Sequence, residues 1–234
     1  MRIDSHVCFS ERHPPEHLKA ILERNRFDGA ILLVSGPLPE AQAPILGLVV
    51  RNGGLDADSL DGYQQHPAFR GVSRSLADGI PEGVDELARR SIPLDVEMRP
   101  DDFPTLLRLA REVPTLRLVI DHLARPDFNH KFADEWARGM EEAAGMPQIY
   151  CKISGLLTEM EGLPFAAILA QPYVQRALEL FGPARLMFGS EWPVCLPEVT
   201  WKASLAAFTQ SIGARTMEVR EQLLGGTARE FYGI

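Results

Sequence analysis

Eight short apolar or β-branched runs, separated by segments with helical patterning, constrain the fold of this chain more than any other feature. They cover residues 2–5, 29–34, 45–50, 69–73, 93–98, 116–121, 148–153 and 186–189. Most are continuously apolar rather than alternating, the pattern of parallel strands covered on both faces. Between them, Pro14, Pro15 and Glu16 open a helix that runs to about Asn25, with proline in the first turn and glutamate at the positive end of the dipole. Asp101 is placed to cap another helix, in which Leu106, Leu109, Ala110 and Val113 share a face. A stripe of Val174, Ala177, Leu178 and Phe181 stops at Gly182 and Pro183, and residues 131–145, 198–212 and 217–224 complete the clear helices. Strands alternating with helices in this number predict a (β/α)8 barrel with its active site at the carboxyl ends of the strands. Residues 35–44 and 52–67 are rich in Gly, Pro and polar side chains and carry no convincing helix, so the expected barrel is distorted and shortened in its first half. A doubly wound open sheet is the structural alternative, although no Gly-rich phosphate loop follows the first strand.

Length and charge narrow the function. A chain of 234 residues with 45% hydrophobic content suits one barrel domain. Net charge is −8 with no long basic run, which argues against a nucleic-acid partner. The opening MRIDSHVCF has no apolar signal core and the apolar runs are strand-sized, so the expectation is a cytoplasmic protein with no membrane partner. Cys8, Cys151 and Cys195 are an odd count without zinc-finger spacing and read as reduced thiols.

Polar residues at the strand ends would converge on one cleft. They are His6 and Cys8, Ser35, Arg51, Ser73 and Arg74, Glu97 and Arg99, Asp121 and His122, Lys152 and Ser154, and Glu191. In RLMFGSEWPVC, Glu191 follows a sharp Gly-Ser turn beside Trp192, a place for a general base or metal ligand; an N-cap with Trp192 in the core is the plainer alternative. His6 and Cys8 stand two apart and share one strand face, so both could reach one metal ion, or serve as core residues. His122, in VIDHLARP, reads equally as a structural histidine or as a ligand or electrophile. His13 and His17 lie four apart on the first helix but lack the glutamate of HExxH and read as a solvated face; His66 and His130 read as surface.

The segments IDSHVCF, FRGVSRSL, LRLVIDHLARP, IYCKISGLLTE, LELFGPARLMFGSEWPVCL and GGTAREFY resemble, in order and spacing, the amidohydrolase type 2 family, and within it the lactonases that act on 2-pyrone-4,6-dicarboxylate and on sugar-acid lactones such as L-fuconolactone. The resemblance spans nearly the whole chain and implies a distorted (β/α)8 TIM barrel that hydrolyses small lactones. It implies that His6, His122 and Glu191 are catalytic, Glu191 activating water and the histidines stabilising the oxyanion directly or through a metal. On the hypothesis of lactone hydrolysis at the barrel mouth, Arg74, Arg99, Lys152, Ser154 and Trp192 are expected to contact a carboxylate or lactone substrate. Some members of the family use a divalent metal and others none. If one binds here, zinc held by His6, Cys8, His122 and Glu191 is the expected set. Cys8 replaces the family's second histidine, Glu191 its aspartate, and Ser73 stands where arginine is usual. A non-catalytic small-acid binder and a metal-dependent amidase or decarboxylase are the rival readings, and a homodimer is compatible with any of them.

Overall fold

The computed structural model describes residues 1–8, 12–13, 15–128, 134–160, 166–195 and 199–234. Eight parallel strands among them follow one another in space in chain order: β1 Ile3–Cys8, β2 Gly29–Val34, β3 Ile45–Arg51, β4 Phe69–Ser75, β5 Leu94–Glu97, β6 Leu118–Ile120, β7 Ile149–Ile153 and β8 Leu186–Phe188. Parallel ladders join each strand to the next from β1 to β8, with register shifts in the first three pairs. The seam between β8 and β1 closes by single bonds, Glu191 N–H to His6 O and Cys8 N–H to Trp192 O, both 2.9 Å. This is the (β/α)8 barrel that the strand pattern predicts.

The helices are α1 Pro15–Arg24, α2 Ala57–Gln64, α3 Val84–Arg89, α4 Phe103–Glu112, α5 Asp134–Ala144, α6 Ala166–Phe181, α7 Trp201–Ile212, α8 Met217–Glu221 and α9 Thr227–Tyr232. No helix joins β2 to β3, as expected. Helix α2 corrects the reading of residues 52–67 as helix-free: Asp56 caps it, accepting from Ser59 N at 2.9 Å and Ser59 Oγ at 2.7 Å. Its only buried side chain is Leu60, so the apolar stripe that announces a longer helix is absent. At α4 the N-cap position is Asp102 rather than Asp101, and its side chain does not bond to the helix; Oδ2 instead accepts the Arg99 N–H at 2.8 Å across the short turn that precedes it. The starts anticipated at residues 131 and 198 lie outside the described residues. None of the described helices is long and apolar enough to cross a membrane.

Two apolar layers hold the barrel. An outer one packs strands against helices. The inner one fills the lumen with Ile3, Ile31, Leu33, Val49, Val119 and Met187, and α9 plugs its amino-terminal end with Ala228, Phe231 and Tyr232. In β1, Ile3 faces the lumen, so strict alternation would also turn Val7 inward. A register shift between Asp4 and Val7 reverses that phase: Val7 joins the outer layer, and His6 and Cys8 fall on the lumen side.

Candidate active site

The carboxyl end of the lumen gathers His6, Asp95, Asp121, His122, Lys152, Ser154 and Glu191, all buried. Each arrives there by a local device. Asp121 follows Val119 in phase and faces inward. His122 would face outward by alternation, but residues 122–125 adopt left-handed backbone, with φ of 53°, 55°, 59° and 46°, which swings the imidazole back over the lumen. Non-glycine residues pay about 1–2 kcal/mol each for that conformation. Trp136 Nε1–H anchors the turn on Leu123 O at 2.7 Å. Glu191 is also left-handed, at φ 61°. Gly189 is required beside it: a Cβ there would stand 2.5 Å from His6 Cβ and 3.1 Å from Ser154 Cβ.

Two linked groups result. In the first, the Lys152 ammonium lies 2.5 Å from Asp95 Oδ2, 3.0 Å from Asp121 Oδ1 and 3.2 Å from His6 Nδ1. Burial alone would strip the Lys152 proton, but Asp121 and Asp95 outweigh it and hold the ammonium charged. Burial likewise lowers His6, yet the Asp121 carboxylate 3.5 Å away raises it to about 10. Asp121 is held well below the usual carboxylate range by Lys152 and His6 against the cost of its burial. Asp95 is pushed up by burial, with Lys152 opposing, and Tyr232 OH donates to it at 2.8 Å from the plug helix.

In the second group, His122 Nε2 lies 3.2 Å from Glu191 Oε1 and its Nδ1 lies 2.9 Å from Ser154 Oγ. Burial and the neighbouring His6 keep His122 neutral. An ionised Glu191 only accepts, so Nε2 carries the proton and Nδ1 accepts from the Ser154 hydroxyl, which fixes the tautomer. Burial raises Glu191 above the usual carboxylate range, with His6 pulling the other way. The two groups touch through the edge-to-face rings of His6 and His122, with centroids 4.6 Å apart.

The donor set suits a divalent ion. Ligating atoms of His6, Asp121 and His122 all lie within 4.8 Å of one another, and Asp121 Oδ2 and Glu191 Oε2 are buried acceptors that receive no hydrogen bond. Cys8 and Glu191, expected as ligands, are not part of that compact group, and Asp121, read from sequence only as a strand-end residue, is.

The remaining residues divide. Lys152 is fully buried among carboxylates, and Ser154 is committed to His122. Arg74 is out of phase with the lumen-facing Ser73 and feels Tyr63 of α2, and Arg99 is exposed. Neither arginine is brought to the centre. Trp192 is buried with its ring edge-on to His13 at 5.4 Å. Cys8 is half-buried and free, while Cys151 and Cys195 are free and buried. His66 Nδ1 accepts the Ala68 N–H at 3.2 Å, and His130 lies outside the described residues. Two ion pairs stand at the mouth, Arg51–Glu97 at 2.6 Å and Arg125–Glu159. Sequence reasoning missed Asp4, Asp95 and Tyr232. An acid inside the apolar runs RIDS and PLDVE was a signal for the first two; nothing local marked Tyr232.

Comparison with known proteins agrees with this architecture. The chain is 29% identical over 94% of its length to L-fucono-1,5-lactonase of Burkholderia ambifaria, covering 85% of that protein. Its fold matches crystal structures of an amidohydrolase from Burkholderia multivorans, at 23% identity over 100% of this chain and 99% of that one. The TM-score is 0.87 for the form with bound HEPES and 0.83 for the form with bound zinc. The amidohydrolase family model matches residues 6–234, nearly the whole chain. The protein belongs to the amidohydrolase family.

Proposed function

We propose that this protein, acting as a single barrel domain over residues 1–234, hydrolyses the lactone ring of a small sugar acid. The observation that carries the reading is Glu191: a buried carboxylate with one oxygen oriented by His122 and the other, Oε2, without a donor at the mouth of the lumen. A general base needs such an acceptor, and a carboxyl raised by burial holds an abstracted proton better than an exposed one. The relative named L-fucono-1,5-lactonase supports a sugar lactone as substrate.

In the reaction, Glu191 accepts a proton from water as its oxygen adds to the lactone carbonyl. The charge that develops on the carbonyl oxygen is met by the His6 imidazolium, which Asp121 and the buried Lys152 hold in place from behind. Collapse of the tetrahedral adduct breaks the ring C–O bond, and the proton held by Glu191 passes to the departing alkoxide, giving the open hydroxy acid. His122, locked by Ser154, keeps Oε1 of Glu191 in place through these transfers.

We assign zinc as the ion this nitrogen and oxygen set would hold, through His6, Asp121 and His122 with Glu191 adjacent, on condition that His6 gives up its proton and His122 Nε2 releases Glu191. Once bound, it would polarise the carbonyl and acidify water. Cys8 then lines the mouth beside His6.

The sugar ring would be read by the pairs Arg51–Glu97 and Arg125–Glu159, whose donors and acceptors match hydroxyls. Each of these arginines, like Lys152, already faces a carboxylate, which favours a neutral polyhydroxylated lactone over a dicarboxylate one. The test is acid release from a panel of sugar 1,5- and 1,4-lactones and dicarboxylate lactones. Sugar lactones turn over, and Glu191→Gln abolishes turnover while the protein still folds. Retained turnover in Glu191→Gln refutes the base assignment, and a preference for dicarboxylates refutes the substrate class.

A further inference from the structure

Asp4 is a carboxylate with no solvent exposure, at the point where the barrel seam closes. Its Oδ1 accepts the Ser190 N–H at 2.9 Å and the His6 N–H at 3.3 Å, and its Oδ2 accepts the Trp201 indole N–H at 2.7 Å. No cation is among these partners. Burial pushes this carboxyl up, and the Ser190 hydroxyl together with the three N–H donors opposes that; two of the N–H donors belong to the backbone that carries the site, His6 itself and the residue before Glu191.

The seam is where such a clamp matters. Every other pair of neighbouring strands is joined by a parallel ladder, whereas β8 and β1 are tied by isolated bonds. Beside the two backbone bonds already described, Ser5 Oγ donates to Phe188 O at 2.6 Å. The register shift in β1 begins at Asp4, and the left-handed Glu191 follows the Ser190 N–H that Asp4 receives. One side chain therefore joins both irregularities, and Trp201 of α7 holds that side chain from the helix layer.

We propose that Asp4 is a positioning residue that sets the distance between Glu191 and His6 across the seam, with Trp201 fixing its carboxylate. The inference rests on Glu191 acting as the base. Asn at position 4 offers one acceptor oxygen and one donor amide, so a donor faces a donor in either orientation: the Trp201 indole in one, the two backbone N–H groups in the other. Replacing Trp201 by Phe removes the indole donor and the conflict with it.

The experiment measures kcat and KM on the best sugar lactone from the panel, with far-UV circular dichroism and thermal melts reporting the folded fraction. Asp4→Asn lowers kcat about 10- to 100-fold, the scale of a 1 Å misplacement, while KM changes less than about threefold. In the Trp201→Phe background the same substitution costs less than about threefold. A wild-type kcat for folded Asp4→Asn overturns the proposal. So does an equal loss in both backgrounds, or a loss explained by the unfolded fraction. If Asp4→Asn does not fold, Trp201→Phe alone decides: kcat falls at least about twofold at unchanged KM, and a wild-type kcat overturns the proposal. Turnover retained by Glu191→Gln overturns this inference together with the base assignment; Glu191→Gln inactive beside a fully active Asp4→Asn overturns this inference alone.

Discussion

Lys152→Met tests whether the resident ammonium holds the lumen together. The side chain is fully buried, 2.5 Å from Asp95 and 3.0 Å from Asp121, and methionine keeps its approximate length and apolar stem while removing the charge. Two buried carboxylates then face each other without their shared cation, with Tyr232 and His6 as remaining partners. Breaking a buried ion pair by removing one partner costs about 3–5 kcal/mol. That is a large share of a typical total of about 5–15 kcal/mol. For a chain of this size each kcal/mol moves Tm by about 2–4 °C, so the expected fall is about 6–20 °C. The sign with pH follows from the acids: Asp95, already pushed up by burial, loses its compensating cation and takes up a proton more readily in the folded state. Its folded value then lies further above its unfolded one, so the deficit shrinks as pH falls. Thermal melts of wild type and variant between pH 5 and 8 measure both effects, and Asp95→Asn in the variant restores part of the loss. A fall in Tm of less than about 3 °C at pH 8, or a deficit that grows towards acid, refutes the reasoning.

Two further outcomes follow from the same geometry. Gly189→Ala drives a Cβ to 2.5 Å from His6 Cβ, an overlap that backbone or β1 must relieve; stability falls by about 1–3 kcal/mol and kcat by about 100-fold, read by denaturant titration and steady-state kinetics, and a variant with wild-type kcat contradicts the placement of His6. The acid limb of kcat/KM lies above the ordinary carboxylate range because burial raises Glu191 and only its ionised form accepts a proton, so activity rises with pH through that limb; a limb at or below about pH 4 contradicts Glu191 as base.

The sequence by itself determined the architecture and much of the candidate site's membership. Eight short apolar or β-branched runs, most of them continuous, indicate strands buried on both faces, and their alternation with helices without a Gly-rich phosphate loop favours a barrel over a doubly wound sheet; that pattern is local and composition-borne, so it was legible. His6, His122 and Glu191 were legible because each is polar at the end of an apolar run. Helix α2 was not, since a short cap-dominated helix with one buried leucine leaves no stripe to read. Tertiary structure alone decided how the site is arranged. The register shift that turns His6 and Cys8 into the lumen depends on pairing with β2, and the left-handed turn that returns His122 depends on Trp136. Lys152 read from sequence as a substrate cation, but Asp95 and Asp121, 57 and 31 positions away along the chain, claim it for the structure. Arg74 read from sequence as a substrate contact, yet it stands one step along the strand from the inward Ser73 and so on the opposite face. The division has one physical cause: strand and helix patterning is written within a few residues, whereas the partner of a buried charge is set by which strands the closed barrel makes neighbours.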